Sequence, residues 1–307
     1  MQQSISVMGV RIMSDGVIGI DIGGTNIRVG FLDKQLQLIR KETALQTQFR
    51  NAGDMFTYVR KMISKVDVDR KADKIGIAMP VPWRDDTKII FDATNIPFLE
   101  NMSIQKICSY FPGYDVFFEN DVNVIALLES NYGAAKGYQH SMYITISTGI
   151  GSGIVVNNDI FHGAHGYAGE IGNMMVSDRN GSLELLCSGQ ALEQESKRLY
   201  GSEATSRLLF EKYHAKDIHA VEVIELWIER FSNAIASLMQ TMDPHIFVFG
   251  GAVIYHNQWL IERIIESAEK KILPNLKGKA KIVMSKFGPD AGIIGAGFIA
   301  LKKSKGE

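Results

Sequence analysis

The residues in this chain best suited to chemistry sit in two turns rich in glycine and threonine. The first, Asp21-Ile-Gly-Gly-Thr-Asn-Ile-Arg28, lies between the hydrophobic runs Val17–Ile20 and Val29–Phe31. The second, Thr148-Gly-Ile-Gly-Ser-Gly153, lies between Met142–Ser147 and Ile154–Val156. Glycine has no Cβ, so such a turn can bring bare N–H groups against a phosphate oxygen. In the first turn Gly23 and Gly24 supply the bare backbone, Thr25 a hydroxyl and Arg28 a cation. Asp21 adds a carboxylate able to organise the water around Mg²⁺. A Gly-Gly turn alone would be a structural hairpin, with both glycines at positive φ; the three polar groups favour phosphate binding instead. Thr148, Gly149 and Gly151 are the matching candidates in the second turn. Neither turn has the Gly-x-x-x-x-Gly-Lys-Ser/Thr spacing of a P-loop, and neither sits between a strand and a helix as a dinucleotide fingerprint does.

A third group, Glu119-Asn-Asp121, falls where a strand runs into a helix. Asn and Asp are ordinary helix caps in that position. Beside a cleft, Asp121 has another use: it can accept the proton of a substrate hydroxyl whose oxygen attacks a γ-phosphate. Such a base mainly orients the nucleophile, because phosphoryl transfer depends on positioning and charge neutralisation.

The elements that must carry these groups follow from periodicity. Each half opens with strand, turn and strand, which suggests a duplicated fold gripping phosphates between two lobes. In the first half, Leu36–Ile39 predicts a third strand. Met55, Val59, Met62, Ile63 and Val66 predict a helix over 54–66 capped by Asp54. Strands are expected at 74–79 and 115–118, with a helix from Ser103 to Phe111 and another from 121 to about 136. In the second half, strands are expected at 142–147, 153–157, 245–249 and 281–284, a Gly/His-rich loop over 160–182, and helices at 183–199, 203–213, 220–242, 257–273 and 292–301. The stripe Val221, Ile224, Trp227, Phe231, Ile235 and Leu238 marks the long helix as core or as a subunit contact. The halves meet near residue 120 without a linker, as a hinge would.

Composition sets the broad class. With 307 residues the chain is long enough for two lobes with cores of their own. A formal net charge of −1 offers no field for bulk nucleic-acid binding. No apolar run reaches bilayer length, so no membrane partner is expected. Two cysteines, Cys108 and Cys187, make no disulfide framework and fit a reducing compartment. Residues 1–16 resemble neither a signal peptide nor a folded unit. The expected location is the cytoplasm.

Taken together and in order from Val17 to Leu301, the motifs resemble those of ROK-family sugar kinases, within the actin/hexokinase/Hsp70 ATPase superfamily. Asp21–Thr25 resembles the family's first phosphate motif and Thr148–Gly153 the second. Thr94-Asn-Ile-Pro97 resembles its sugar-binding segment and Asn120-Asp-Val-Asn123 its catalytic-base motif. Gly166-Tyr-Ala-Gly-Glu-Ile-Gly172 resembles the loop whose glutamate grips the sugar. Leu183-Glu184 followed by Ser188-Gly189 resembles the segment giving a second such glutamate, and Gly250-Gly251 the adenosine site.

The resemblance implies a two-lobed, ribonuclease-H-like α/β fold with a mixed sheet in each lobe. The expected lobes are 17–120 and 121–290, with 1–16 a flexible lead-in and the closing helix 291–303 free to pack back on the first. It implies ATP and Mg²⁺ as cofactors, Asp121 as base, and Asn95, Asn120, Glu170 and Glu184 as ligands of sugar hydroxyls. The acceptor would be the 6-hydroxyl of glucose or of a related hexose such as allose, since 80–98 resembles the same part of allose kinases. A homodimer is implied as well. Many members carry a His after Glu-x-Gly and a downstream cysteine cluster that bind zinc. This chain has Asn173 there and Ser177–Ser182 without cysteine, so no structural zinc is expected and Asn173 replaces an imidazole contact by an amide. His162 and His165 are expected at the surface or the sugar rim, and Trp83 and Phe98 in domain packing. The competing readings are a sugar-responsive repressor and a non-catalytic sugar sensor. The sixteen residues before the first strand cannot hold a helix-turn-helix, and the two phosphate turns with Asp121 favour catalysis.

Overall fold

A computed structural model describes residues 15–81, 87–177, 181–279 and 281–304. Residues 1–14 of the lead-in, Trp83 and positions 178–180 of the cysteine-free stretch lie outside the described residues. The first hairpin forms as its alternation requires. β1 (Gly16–Ile22) is buried throughout, and β2 (Asn26–Asp33) returns antiparallel with Asp21 directly opposite Arg28. β3 (Leu38–Leu45) begins two residues later than expected and runs further. Leu36 is held at φ 62 in a turn where the Asp33 carboxylate accepts from the Gln35 and Gln37 amides. α1 (Ala52–Val66) is capped by Asn51, whose Oδ1 accepts from Asp54 N at 2.9 Å, so Asp54 lies in the first turn and is not the cap. β4 (Ala72–Met79) runs parallel to β1; α2 (Ile104–Cys108), capped by Ser103, leads to β5 (Asp115–Asn120), parallel to β4. The sheet order is β3-β2-β1-β4-β5.

α3 (Asp121–Tyr132) opens the second half and stops at Gly133, short of the expected end near 136. Then come β6 (His140–Ile146), β7 (Ile150–Val156) and β8 (Asp159–Ile160). The loop expected over 160–182 contains the small hairpin of β9 (Met175–Ser177) and β10 (Gly181–Ser182). The helix expected over 183–199 is two, α4 (Leu183–Cys187) and α5 (Gly189–Tyr200), divided where Ser188 leaves the helical region to cap Ala191 N. α6 (Ser206–His214) and α7 (Ile218–Thr241) follow, then β11 (Ile246–Gly250). Asn257 separates α8 (Ala252–His256) from α9 (Trp259–Glu269), its amide donating to Val253 O at 2.9 Å. β12 (Lys281–Met284) and α10 (Ala291–Lys303) complete the chain.

The second sheet, β12-β11-β6-β7-β8, repeats the first: three antiparallel strands, then two added parallel. The helices after the fifth strands cross over. α3 leaves the first sheet and packs on β6 and β7; α10 leaves the second and packs on β1 and β4. The two helices also pack on each other, so the layers run sheet, α10, α3, sheet. Glycines make this approach possible: a Cβ on Gly76 would collide with the Ala296 carbonyl, and one on Gly295 would lie 2.7 Å from Val124 O. Three hydrophobic clusters result, one outside each sheet and one between them around α3 and α10. The α7 stripe is core: Trp227 is buried, stacks on Phe231 at 5.1 Å and donates to the Cys187 carbonyl at 2.8 Å. Phe98 is half-buried against the first core.

Candidate active site

The strand ends place the candidate residues. Asp21, Ala78 and Glu119 stand side by side in register across β1, β4 and β5. Asp21 is buried, and Arg28, its cross-strand partner, donates to Oδ2 at 2.9 Å. The start of α10 closes over it: a Cβ on Gly292 would lie 2.6 Å from the Asp21 carboxyl. Burial raises the Asp21 pKa, and Arg28 works against that rise.

The turn after β1 differs in one respect from the hairpin alternative. Neither Gly23 nor Gly24 has positive φ, and a Cβ on either would meet its neighbours only at ordinary contact distance. Neither the turn nor the packing therefore demands glycine; a ligand close to the backbone would. Thr25 is exposed beside them. Asn95, also exposed, stands next to Gly24, its Cβ 3.6 Å from where a Gly24 Cβ would be.

Asn120 is the N-cap of α3, its Oδ1 accepting from Val122 N at 2.9 Å and Asn123 N at 3.2 Å. The ordinary capping role is thus present, and it leaves only the amide nitrogen of Asn120 for a ligand. Asp121 is the first helical residue, half-buried, its Oδ1 accepting from Val122 N at 2.9 Å. Burial, with the negative charges of Asp21 and Glu170, lifts its carboxyl to about 7. Glu170 is raised in turn, by burial and by Glu184.

Glu184, in the first turn of α4, braces the second glycine turn, Oε2 accepting from Ile150 N at 2.7 Å. A Cβ on Gly149 would crowd that oxygen at 2.5 Å. Thr148 is exposed at the same turn. Gly151 has a packing reason, since a Cβ there would meet Val122 of α3 at 2.8 Å. Gly251 caps α8 at φ 87 against the Ile146 carbonyl, so the turn after β11 lies beside the one after β6, and Gly250 packs on the Tyr143 ring. Asn173 is exposed on the short turn after Glu170, its amide donating to the Glu170 carbonyl at 3.2 Å. Cys187 is buried, and burial pushes its thiol up to about 12. Among the described residues no group of three or more His, Cys, Asp or Glu side chains is arranged to hold a metal.

The fold thus brings Asp21, Asp121, Glu170 and Glu184 into one electrostatically coupled row, with Arg28, Gly24 and Asn95 at one end and Gly149 at the other. Asp21 and Glu170 lift Asp121, and Glu184 lifts Glu170; such a run of acidic groups suits a ligand that donates hydrogen bonds or brings a cation. Two residues at this site have roles that the sequence did not reveal. Glu119, next to the proposed base, is buried; His162 lies 3.1 Å from both its oxygens, Lys303 Nζ 3.4 Å from one, and the Asn123 amide donates at 3.2 Å. Burial pushes that carboxyl up, but His162, Lys303 and the Asn120 amide outweigh it and hold it at about 2. The Glu-Asn-Asp run was visible; its partner 43 residues away was not.

The pattern that defines the ROK family matches residues 17–303. A glucokinase from Thermotoga maritima is 26% identical over 94% of this chain and 98% of its own length. An N-acetyl-D-glucosamine kinase from Histophilus somni is 26% identical over 93% of this chain and 99% of its own. The crystal structure of a ROK hexokinase from Thermus thermophilus matches with a TM-score of 0.83 at 27% identity, covering 95% of this chain and 100% of that one.

Proposed function

This chain belongs to the ROK family, and from that premise we propose that it is an ATP-dependent hexose kinase, transferring the γ-phosphoryl group to the 6-hydroxyl of glucose or of a related hexose such as allose. The observation that carries the reading is Asp121: a carboxyl lifted to about 7, at the start of α3, coupled to Asp21 beside one glycine turn and to Glu170 on the loop that returns toward the other. With Oδ1 engaged by Val122 N, Oδ2 is the oxygen that takes the proton of the sugar hydroxyl. Glu170, Glu184, Asn95 and Asn173 offer acceptors and amides to the remaining hydroxyls, and Asn120 its amide nitrogen. The names of the two relatives support a hexose or an N-acetylhexosamine as substrate class.

Magnesium-ATP, when bound, supplies the phosphoryl group and neutralises its oxygens. The donor set fits: Mg²⁺ keeps water and phosphate ligands and needs few from protein, and Asp21 has Oδ1 unengaged among the described residues. Thr25, Thr148 and the bare amides of the two turns would hold phosphate oxygens; Arg28 both fixes Asp21 and adds positive charge. The turn of Gly250 and Gly251 would accept the adenosine.

An ADP-release assay with Mg-ATP across hexoses, N-acetylhexosamines and β-glucosides tests the reading. Turnover on one of them is the expected result. Silence across the panel, with calorimetric sugar binding intact, would make the protein a sensor. The pH dependence is specific. Asp121 is protonated below about 7 and ionised above it, so kcat/KM for the sugar should fall about tenfold per unit below that pH while sugar binding does not. A profile flat from pH 6 to 8 would remove Asp121 from the role of base.

A further inference from the structure

The loop of residues 161–170, which carries Glu170, is exposed except at the half-buried Ala168 and Gly169, and it holds three left-handed glycines: Gly163 at φ 72, Gly166 at φ 81 and Gly169 at φ 97. Such a segment has much conformational entropy to lose and little packing to hold it. Two side chains nonetheless tie it to the first half of the molecule. His162 reaches Glu119 at the end of β5, as described above. Farther along, Tyr167 Oη donates to Asp92 Oδ2 at 2.6 Å, and its ring lies 5.8 Å from that of Phe91. Asp92 belongs to the segment between β4 and α2, which hangs from the first sheet; Tyr167 belongs to the segment after β8, which hangs from the second.

The spacing gives this second tie its meaning. Asn95 is three residues beyond Asp92, and Glu170 three residues beyond Tyr167. Both intervals are stiffened by short turns: Ile96 N donates to Ala93 O at 3.0 Å, Thr94 N to Asp92 O at 2.7 Å, and Glu170 N to Tyr167 O at 3.2 Å. Asp92 itself is held at φ 52, a left-handed conformation that Asp tolerates better than most residues. Ser152 Oγ pins the far side of the loop through the Gly169 carbonyl at 2.6 Å. A hydroxyl donating to an ionised carboxylate forms a short, charge-assisted bond. That bond pushes the phenol up to about 12.

We infer that Tyr167 and Asp92 form a latch between the two halves beside the candidate site, which holds the 161–170 loop on the first half and so sets Glu170 toward Asn95. Tyr167 is a positioning residue: its hydroxyl is engaged by Asp92 and acts on the sugar through Glu170. The role of Glu170 rests on the kinase reading above; the latch itself does not, and it is tested separately. Tyr167→Phe keeps the ring and its Phe91 contact and removes only the hydroxyl; Asp92→Asn weakens the acceptor.

Hydrogen exchange without sugar or nucleotide reads the latch. The amides of Ala168, Glu170 and Ile171 should exchange about fivefold faster in either variant, and no faster in the double variant than in a single one, with α7 unchanged. Unchanged loop exchange, or additive effects, would overturn the latch. Steady-state kinetics reads the positioning. The sugar KM should rise about fivefold in each variant while kcat and the KM for ATP stay within twofold. Faster loop exchange with an unchanged sugar KM would overturn the positioning role. A parent protein that phosphorylates none of the sugars would refute the kinase reading, and the exchange measurement would still decide the latch.

Discussion

Replacing Asp121 by Asn is expected to reduce turnover about a thousandfold, the usual scale for removing a general base, while leaving sugar binding within a few-fold of the parent. The two carboxyl oxygens divide the effect. Oδ1 accepts from Val122 N and helps to start α3, a role that an amide oxygen can fill. The other oxygen, the one proposed to take the proton, becomes an NH₂ that cannot. The same substitution should raise thermal stability at pH 8. The folded carboxyl titrates near 7, above the 3.8 of an unperturbed Asp, so its ionised form weighs against the folded state. The gain should be full above pH 7, shrink as pH falls and vanish below about 3.8, where both folded and unfolded chains carry the proton. A dead but more stable variant separates loss of chemistry from loss of fold. Turnover within tenfold of the parent would exclude Asp121 as the base.

The largest structural effect is expected at Glu129, a fully buried carboxylate near the end of α3. Oε1 accepts from Ser285 Oγ at 2.5 Å, Lys286 N at 2.9 Å and Phe287 N at 3.1 Å, and Oε2 from Ala134 N at 2.7 Å. No ion pair reaches it among the described residues; Lys286 Nζ donates to the Tyr132 carbonyl instead. The carboxylate therefore ties the segment entering α10 to the end of α3, the two helices that cross between the sheets. Glu129→Ala would orphan three buried or part-buried backbone N–H groups and should cost about 4 kcal/mol. For a chain of this size that is a fall in Tm of about 6 °C. Glu129→Gln should cost about half as much, because an amide oxygen can keep the Oε1 bonds while its nitrogen faces the Ala134 N–H. A calorimetric scan checks both. A change below 1 kcal/mol for the alanine variant would show that water replaces the carboxylate and that the helix crossing does not depend on it.

Much of this architecture was legible because strand and helix periods are local properties. β1 and β2 alternate around a glycine turn, and a buried hairpin follows directly. The Lys281–Met284 strand was legible for the same reason. Where the expectation missed, a side chain made a contact that periodicity does not record. Asn51 and not Asp54 caps α1, because its backbone is extended where capping requires it. Ser188 breaks what reads as continuous helix by capping Ala191 N, and the short α8 before Asn257 was not expected at all. The glycines divide in the same way. Gly76 and Gly295 pass for weak points in a strand and a helix, yet each marks where a backbone must come close. Gly151, read as a phosphate ligand, has α3 against it.

By itself, the sequence determined the elements, the two glycine turns and the choice of acidic residues at fixed distances from them. Those follow from backbone sterics and from the hydrogen-bonding capacity of each side chain, both properties of short segments. Only the tertiary structure decided what those residues do to one another. The lift of Asp121 to about 7 needs Asp21, a hundred residues earlier, and Glu170, nearly fifty later, at the half-buried start of α3. The depression of Glu119 needs His162 and Lys303 from two other elements. Charge interactions and desolvation depend on distance in space and on the exclusion of water, and neither exists until the two sheets close around α3 and α10.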